Sequence, residues 1–66
     1  MQIIVNDEKQ EVAEGLTLAQ LVKELNVPER GTAVALNDKI AKRADWEAIV
    51  LNPNDNVLII SAAYGG

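Results

Sequence analysis

Residues 16–26 read LTLAQLVKELN and contain the clearest secondary-structure signal in the sequence, from which the rest of the fold can be predicted. Its apolar residues recur at the i, i+3, i+4 and i+7 spacing that places side chains on one face of a helix. Thr17 followed three residues later by Gln20 is a capping-box pattern for the first turn, and Asn26 is a plausible left-handed stop. The pattern therefore predicts a helix over 18–25 whose apolar face must lie on something flat. That face consists of Leu18, Leu21, Val22 and Leu25.

The regions before and after this helix are predicted to be strands. They are runs of β-branched and apolar residues bounded by turn-forming residues such as Asn, Asp and Gly. A strand hairpin, one helix and further strands, without a strand–helix–strand repeat, predict an α+β fold with one mixed sheet of four to five strands and a single helix packed across one face. The predicted strands are residues 2–6, 9–13 (with the hairpin turn near Asp7-Glu8), 32–37, 48–51 and 57–62, with a short extended piece at Ile40 and a helical turn at Trp46.

Alternation along these strands divides their apolar side chains between the two faces of the sheet. The helix can cover one face only, and that face is predicted to hold Met1, Ile3, Val5, Val34, Leu36, Val57 and Ile59. The remaining apolar residues are left without a cover, and a contiguous exposed apolar patch on a small protein usually marks an interface. We therefore expect a partner-binding patch at Ile4, Leu58, Ile60 and Ala62.

The amino-acid composition argues against two classes of function, enzymes and nucleic-acid-binding proteins. The 66 residues make one domain with a small core. They include no cysteine and no histidine, which removes the thiol nucleophile, the usual general base near neutral pH and a Cys/His metal site. The chain is therefore expected not to be an enzyme by itself. A net charge of −4 argues against nucleic-acid binding, because phosphates demand a basic footprint.

The sequence predicts a cytoplasmic protein. Its first residues have no basic region followed by an apolar run, so a signal peptide is not expected. The apolar runs stay short of the 18 or so residues that a membrane-spanning helix needs, and no membrane association is expected.

The last two residues are Gly65-Gly66. Glycine has no Cβ, so such an end can thread a narrow channel and present its carboxylate to another protein. We expect residues 1–62 to form the domain and residues 63–66 to form a flexible tail that reaches roughly 13 Å when extended. Tyr64 is a candidate anchor for the tail in a partner's groove, since aromatic residues often serve this purpose.

Several short features occur together in this chain. They are the start Met-Gln-Ile-Ile-Val-Asn, the capped helix, Ala-Val-Ala-Leu-Asn at 33–37, Arg-x-x-Trp at 43–46 and the terminal Gly-Gly. With these features the chain resembles, over essentially its whole length, the ThiS-type sulfur-carrier family of thiamine biosynthesis, whose members have the ubiquitin-like β-grasp fold. The turn before the last strand often carries Gly-Asp in that family; here it is Asn54-Asp55, and asparagine can adopt the same backbone conformation.

The resemblance implies a mechanism with Gly66 as the modified residue. An E1-like adenylating enzyme would use ATP and magnesium to convert the Gly66 carboxylate to an acyl-adenylate. Sulfur from a persulfide donor would then leave a thiocarboxylate, which thiazole synthase would consume. Gly65 and Tyr64 would present the tail. This chain itself would contribute no catalytic residue, bind no metal and hold no cofactor.

Other functions stay open at this point. The chain could carry sulfur for molybdopterin or another sulfur pathway. It could be a ubiquitin-like modifier conjugated to lysines, or a plain ubiquitin-like interaction module.

Overall fold

A computed structural model of the chain describes residues 1–28 and 30–61. These residues form a mixed sheet of five strands in the order β2-β1-β5-β3-β4, in which β1 and β5 run parallel and the other neighbours antiparallel. One α-helix accompanies this sheet in the described part, so the predicted β-grasp architecture is confirmed. The elements are β1 (Gln2–Val5), β2 (Glu8–Glu11), α1 (Leu18–Glu24), β3 (Thr32–Leu36), β4 (Lys39–Ala41), a short 3₁₀ helix (Arg43–Asp45) and β5 (Asn56–Ser61).

The helix begins and ends with the local signals read from the sequence. Gln20 donates its backbone N–H to Thr17 Oγ1 at 3.2 Å, and Thr17 donates its own to Gln20 Oε1 at 2.9 Å. This reciprocal pair satisfies two N–H groups that the first turn would otherwise leave unpaired. Asn26 follows the helix at a φ of +62°, the left-handed conformation expected of a stop signal.

Both hairpins turn on an Asn-Asp pair in the left-handed conformation. Asn6 and Asp7 have φ of +50° and +68°, and Asn37 and Asp38 have +50° and +72°. Positive φ at both central residues favours the tight two-residue turn whose twist matches the strands. The first turn therefore lies one residue earlier than predicted, and the predicted strand 9–13 is Glu8–Glu11.

The prediction of a strand over 48–51 was wrong. Only an isolated bridge between Val50 and Thr17 forms there. The backbone of this segment pairs with the residues before the helix instead, since Leu51 donates its N–H to Leu16 O and Leu18 donates to Ile49 O, each at 2.9 Å. We call residues 49–51 the strap. Its apolar sequence fills the core with Leu51 without joining the sheet.

The core lies between α1 and one face of the sheet. On the sheet side the predicted residues are buried or half-buried, and α1 covers them with its own apolar face. Trp46, predicted to be structural, is 3 % exposed and donates Nε1–H to Ala41 O at 2.9 Å, which satisfies its one polar group. The buried apolar residues are Ile3, Val5, Leu16, Leu18, Leu21, Val22, Val34, Trp46, Leu51 and Val57.

Candidate partner-binding face and C-terminal strand

The face of the sheet that α1 leaves uncovered is apolar across β3, β4 and β5. Ile40 lies opposite Ala35, and Ala35 lies opposite Leu58, so the three form one cross-strand row. Ile60 lies opposite Ala33 in the next row. Side chains alternate along a strand, and the neighbouring residues Ile3, Val5, Val34 and Val57 are buried in the core on the other face. We call this surface the open face and define it by Ile4, Ala33, Ala35, Ile40, Leu58 and Ile60.

Large apolar side chains of the open face are exposed to solvent. Ile40 is 68 % exposed, and Leu58 and Ile60 are each 47 % exposed, while Ile4 is half-buried. The alternation read from the sequence thus placed Ile4, Leu58 and Ile60 on the correct side of the sheet. Their role as an interface stays a prediction, and Ala62 lies outside the described residues.

Sequence reasoning did not assign Ile40 to this face. A three-residue strand is too short to show an alternating pattern, so its orientation could not be read from the sequence. The pairing of β4 with β3 settles it, because Ala41 lies opposite the buried Val34 and Ile40 must therefore point the other way.

Carboxylates border the open face where β5 begins. A groove of about 240 Å³ lies there, and Asp7 and Asp38 line it together with the open-face residues Ala35 and Leu58. Both aspartates are exposed and belong to the two hairpin turns. The open face therefore has an acidic border at this end, which is complementary to lysine or arginine on a partner surface. Lys9, opposite Ile4, places a basic residue on the same side of the sheet at β2.

Asparagine side chains hold β5 from both of its edges. Ile59 donates its backbone N–H to Asn6 Oδ1 at 2.8 Å, on the side of β1. Asn56 donates its backbone N–H to Asn37 Oδ1 at 2.9 Å, on the side of β3. Both acceptors belong to the left-handed Asn-Asp turns, so the turn chemistry that closes each hairpin also positions the last strand.

The start of β5 is further fixed by Asp55, which is only 8 % exposed. Its Oδ2 accepts the backbone N–H of Asn52 at 2.7 Å, and its Oδ1 accepts Nδ2–H of Asn37 at 3.1 Å. Asn54 in the same turn has a φ of +68°, so asparagine does adopt the left-handed conformation there. A buried carboxylate with these donors is stabilised where it lies.

The predicted reactive end continues from this strand. Gly66, Gly65 and Tyr64, and the whole predicted tail 63–66, lie outside the described residues. Leu58 and Ile60 of the open face lie on β5, the strand from which that tail follows in sequence. A protein that binds the open face would thus contact the strand immediately before the tail.

Other features of residues 1–28 and 30–61 give weaker indications of a functional site than the open face does. A groove of about 470 Å³ lies beside α1 and the 3₁₀ helix and is lined by Ala19, Arg43, Ala44, Trp46 and Glu47. Among the same residues, no group of three or more His, Cys, Asp or Glu side chains is placed to hold a metal ion. Nor does this part of the chain contain a helix long and apolar enough to cross a membrane.

Known proteins resemble this chain over its full length. The model of the ThiS family matches residues 1–66. The sulfur carrier protein ThiS of Escherichia coli (strain K12) is 32 % identical over 66 residues, which is 100 % of both chains. A crystal structure of the thiamine biosynthesis protein ThiS from Geobacter metallireducens has a TM-score of 0.85 at 28 % identity, covering 100 % of both chains. An NMR solution structure of a thiamine biosynthesis protein from the same organism has a TM-score of 0.84 at 28 % identity, covering 100 % of this chain and 88 % of that one.

Proposed function

This chain belongs to the ThiS family, and from that premise we propose that it is a sulfur carrier of thiamine biosynthesis whose Gly66 carboxylate is converted to a thiocarboxylate. The observation that carries the proposal is the match to a sulfur carrier protein over the whole of both chains. The shared β-grasp fold supports it, and its strand β5 carries exposed apolar residues shortly before Gly66 in the sequence.

The chemistry begins with an unreactive group. The Gly66 carboxylate is ionised at pH 7 and repels nucleophiles. Its oxygen attacks the α-phosphorus of ATP, and pyrophosphate leaves, which gives an acyl-adenylate. The terminal sulfur of a persulfide then attacks the carbonyl carbon, and AMP leaves with the electron pair of the C–O bond. A thiol supplies the two electrons that cleave the resulting S–S bond and release the thiocarboxylate.

The partners supply the catalytic machinery in this scheme. The chain contains no cysteine or histidine, so it has neither a thiol to hold the sulfur nor an imidazole to move protons. An E1-like adenylating enzyme binds ATP and magnesium, and thiazole synthase takes the sulfur. The chain takes part as a protein co-substrate, and sulfur-transfer partners are what membership of a sulfur-carrier family implies.

The open face gives these partners a place to bind. Exposed apolar side chains at Leu58 and Ile60 can be buried in a complex, and the burial of apolar surface favours association. Ile4 and Ala62 extend the same set in sequence, and Tyr64 and Gly65 present Gly66. The acidic border at Asp7 and Asp38 adds long-range attraction to a basic partner surface.

Isotope exchange between pyrophosphate and ATP tests the first step. With the cognate adenylating enzyme, exchange is expected to require this chain, and a variant lacking Gly66 should support none. Exchange that is equally fast without the chain would overturn the proposal. The second step separates the sulfur pathways: supply of the thiocarboxylate form should support thiazole formation, and consumption by molybdopterin synthesis alone would assign the carrier elsewhere.

A further inference from the structure

We propose that Asn6 is a positioning residue for the transfer at Gly66, because its side chain takes the place of a neighbouring strand and holds the last residues of β5 on the β1 side. This inference rests on the proposed function and adds a residue that acts through β5 without touching the reacting atoms.

On the β1 side of β5, the side chain of Asn6 accepts a hydrogen bond that the backbone of a neighbouring strand would otherwise accept. β1 ends at Val5, and the backbone then turns into the first hairpin. Asn6 directly follows β1 and donates its backbone N–H to Val57 O at 2.9 Å. Among the described residues, this is the last hydrogen bond between backbone atoms along the edge of β5 that faces β1. The next N–H of β5 on that edge belongs to Ile59, and it is accepted by the side-chain oxygen Asn6 Oδ1 at 2.8 Å.

The other edge of β5 pairs further along the strand. β3 accompanies β5 as far as the Thr32–Ser61 pair. The end of β5 is therefore held by backbone on the β3 side and by one asparagine side chain on the β1 side. If that acceptor is lost, the Ile59 N–H has no partner on its edge, and the end of the strand opens more readily.

Loss of the hydrogen bond at Ile59 would affect the part of β5 that carries the exposed apolar side chains. Its chain neighbours Leu58 and Ile60 are the exposed open-face residues of β5. The same bond therefore holds the part of β5 that carries the docking side chains and that precedes the tail in sequence. Loosening it should leave docking largely intact and make productive placement of the terminal carboxylate less frequent, which lowers kcat more than it raises KM.

Asn37 provides a matched control within the same chain. It has the same φ of +50°, occupies the same position of the second Asn-Asp turn, and accepts an N–H of β5 in the same way. Its partner Asn56 lies at the start of β5, away from the tail. Asn37 also donates to Asp55, so its replacement removes more bonds than replacement of Asn6.

The test compares Asn6→Gly, Asn6→Asp and Asn37→Gly. Glycine tolerates the positive φ and removes the acceptor, whereas aspartate tolerates that conformation and keeps an acceptor oxygen. Pyrophosphate release by the adenylating enzyme gives kcat and KM for each chain. Asn6→Gly should lower kcat about fivefold, the usual worth of one hydrogen bond. Asn6→Asp should restore it, and Asn37→Gly should lower kcat less than Asn6→Gly does, although it removes more bonds.

NMR of the free chain tests the structural half without any enzyme. A scalar coupling through the hydrogen bond, between the Ile59 amide nitrogen and the Asn6 side-chain carbonyl carbon, should be detectable, and Asn6→Gly should speed amide exchange at Ile59. Absence of that coupling in the unchanged chain would overturn the inference, even if Asn6→Gly fails to fold. A kcat for Asn6→Gly no lower than that of Asn37→Gly would also overturn it. If the unchanged chain is not adenylated, the proposed function fails, and the coupling still reports on the bond.

Discussion

Asn37 donates Nδ2–H to Asp55 Oδ1 at 3.1 Å, across 18 positions of the chain. The bond joins the turn of the second hairpin to the turn that precedes β5. Because Asp55 also accepts the N–H of Asn52 at 2.7 Å, both of its oxygens are used. The start of β5 is thus fixed by Asn37, Asn52 and Asp55. No local sequence pattern predicts the bond between Asn37 and Asp55, because these residues are far apart in the chain.

Replacement of Asp55 by alanine should destabilise the fold. The change removes the shared acceptor of the Asn52 N–H and the Asn37 amide, and the loss of one such hydrogen bond costs about 0.5–1.5 kcal/mol. Urea unfolding should show a lower midpoint at unchanged slope. Glu24→Ala, at an exposed position of α1, is the control and should change the free energy of unfolding by less than about 0.5 kcal/mol. Equal effects of the two changes would show that the Asp55 bonds contribute little.

Truncation on the open face should weaken partner binding without harming the fold. Leu58→Ala removes an exposed anchor, and the dissociation constant for the adenylating enzyme should rise about fivefold or more. Val50→Ala is the control, because Val50 is 53 % exposed and lies on the strap, outside the open face. Calorimetric titration measures both. Equal weakening by the two variants would mean that general surface apolarity, and not this face, governs binding.

Ile40→Ala extends the same experiment to the far edge of the face. The cross-strand row from Ile40 through Ala35 to Leu58 implies one continuous contact surface. Binding should therefore weaken for Ile40→Ala as well, by about threefold or more. An unchanged dissociation constant would confine the interface to β5 and the tail.

Neutralising the acidic border should slow association. The double change Asp7→Asn with Asp38→Asn removes two charges and keeps a residue type that tolerates the φ of +68° and +72°. The association rate at low salt should fall about two- to fivefold, with a weaker dependence on ionic strength. Glu14→Gln with Glu24→Gln makes the same change in net charge at exposed sites outside the lining of that groove. If the two double variants slow association alike, net charge alone is responsible.

The sequence was informative wherever structure is decided locally. The period of the apolar residues and the Thr17–Gln20 pair predicted α1 to within one residue at its end, because a helix and its cap depend on neighbours three and four positions away. Strand alternation placed Ile4, Leu58 and Ile60 on one face for the same reason.

The errors and omissions concern contacts between distant residues. The strap has the composition of a strand, yet its hydrogen bonds go to residues 16–18, a choice that only the assembled fold determines. The bond from Ile59 to Asn6 spans 53 positions, and a turn asparagine gives no sign in sequence that its side chain will serve another strand. The orientation of Ile40 likewise follows from pairing with β3.

The proposed conversion of Gly66 is tested by the intact mass of the chain after incubation with ATP, a persulfide donor and the cognate adenylating enzyme. The mass should rise by the difference between one sulfur and one oxygen atom, and the C-terminal fragment should carry the gain. A variant lacking Gly66 should show no gain while keeping its melting temperature. An unchanged mass with an enzyme that does form the acyl-adenylate, or an isopeptide adduct on lysine in place of the sulfur, would contradict the account.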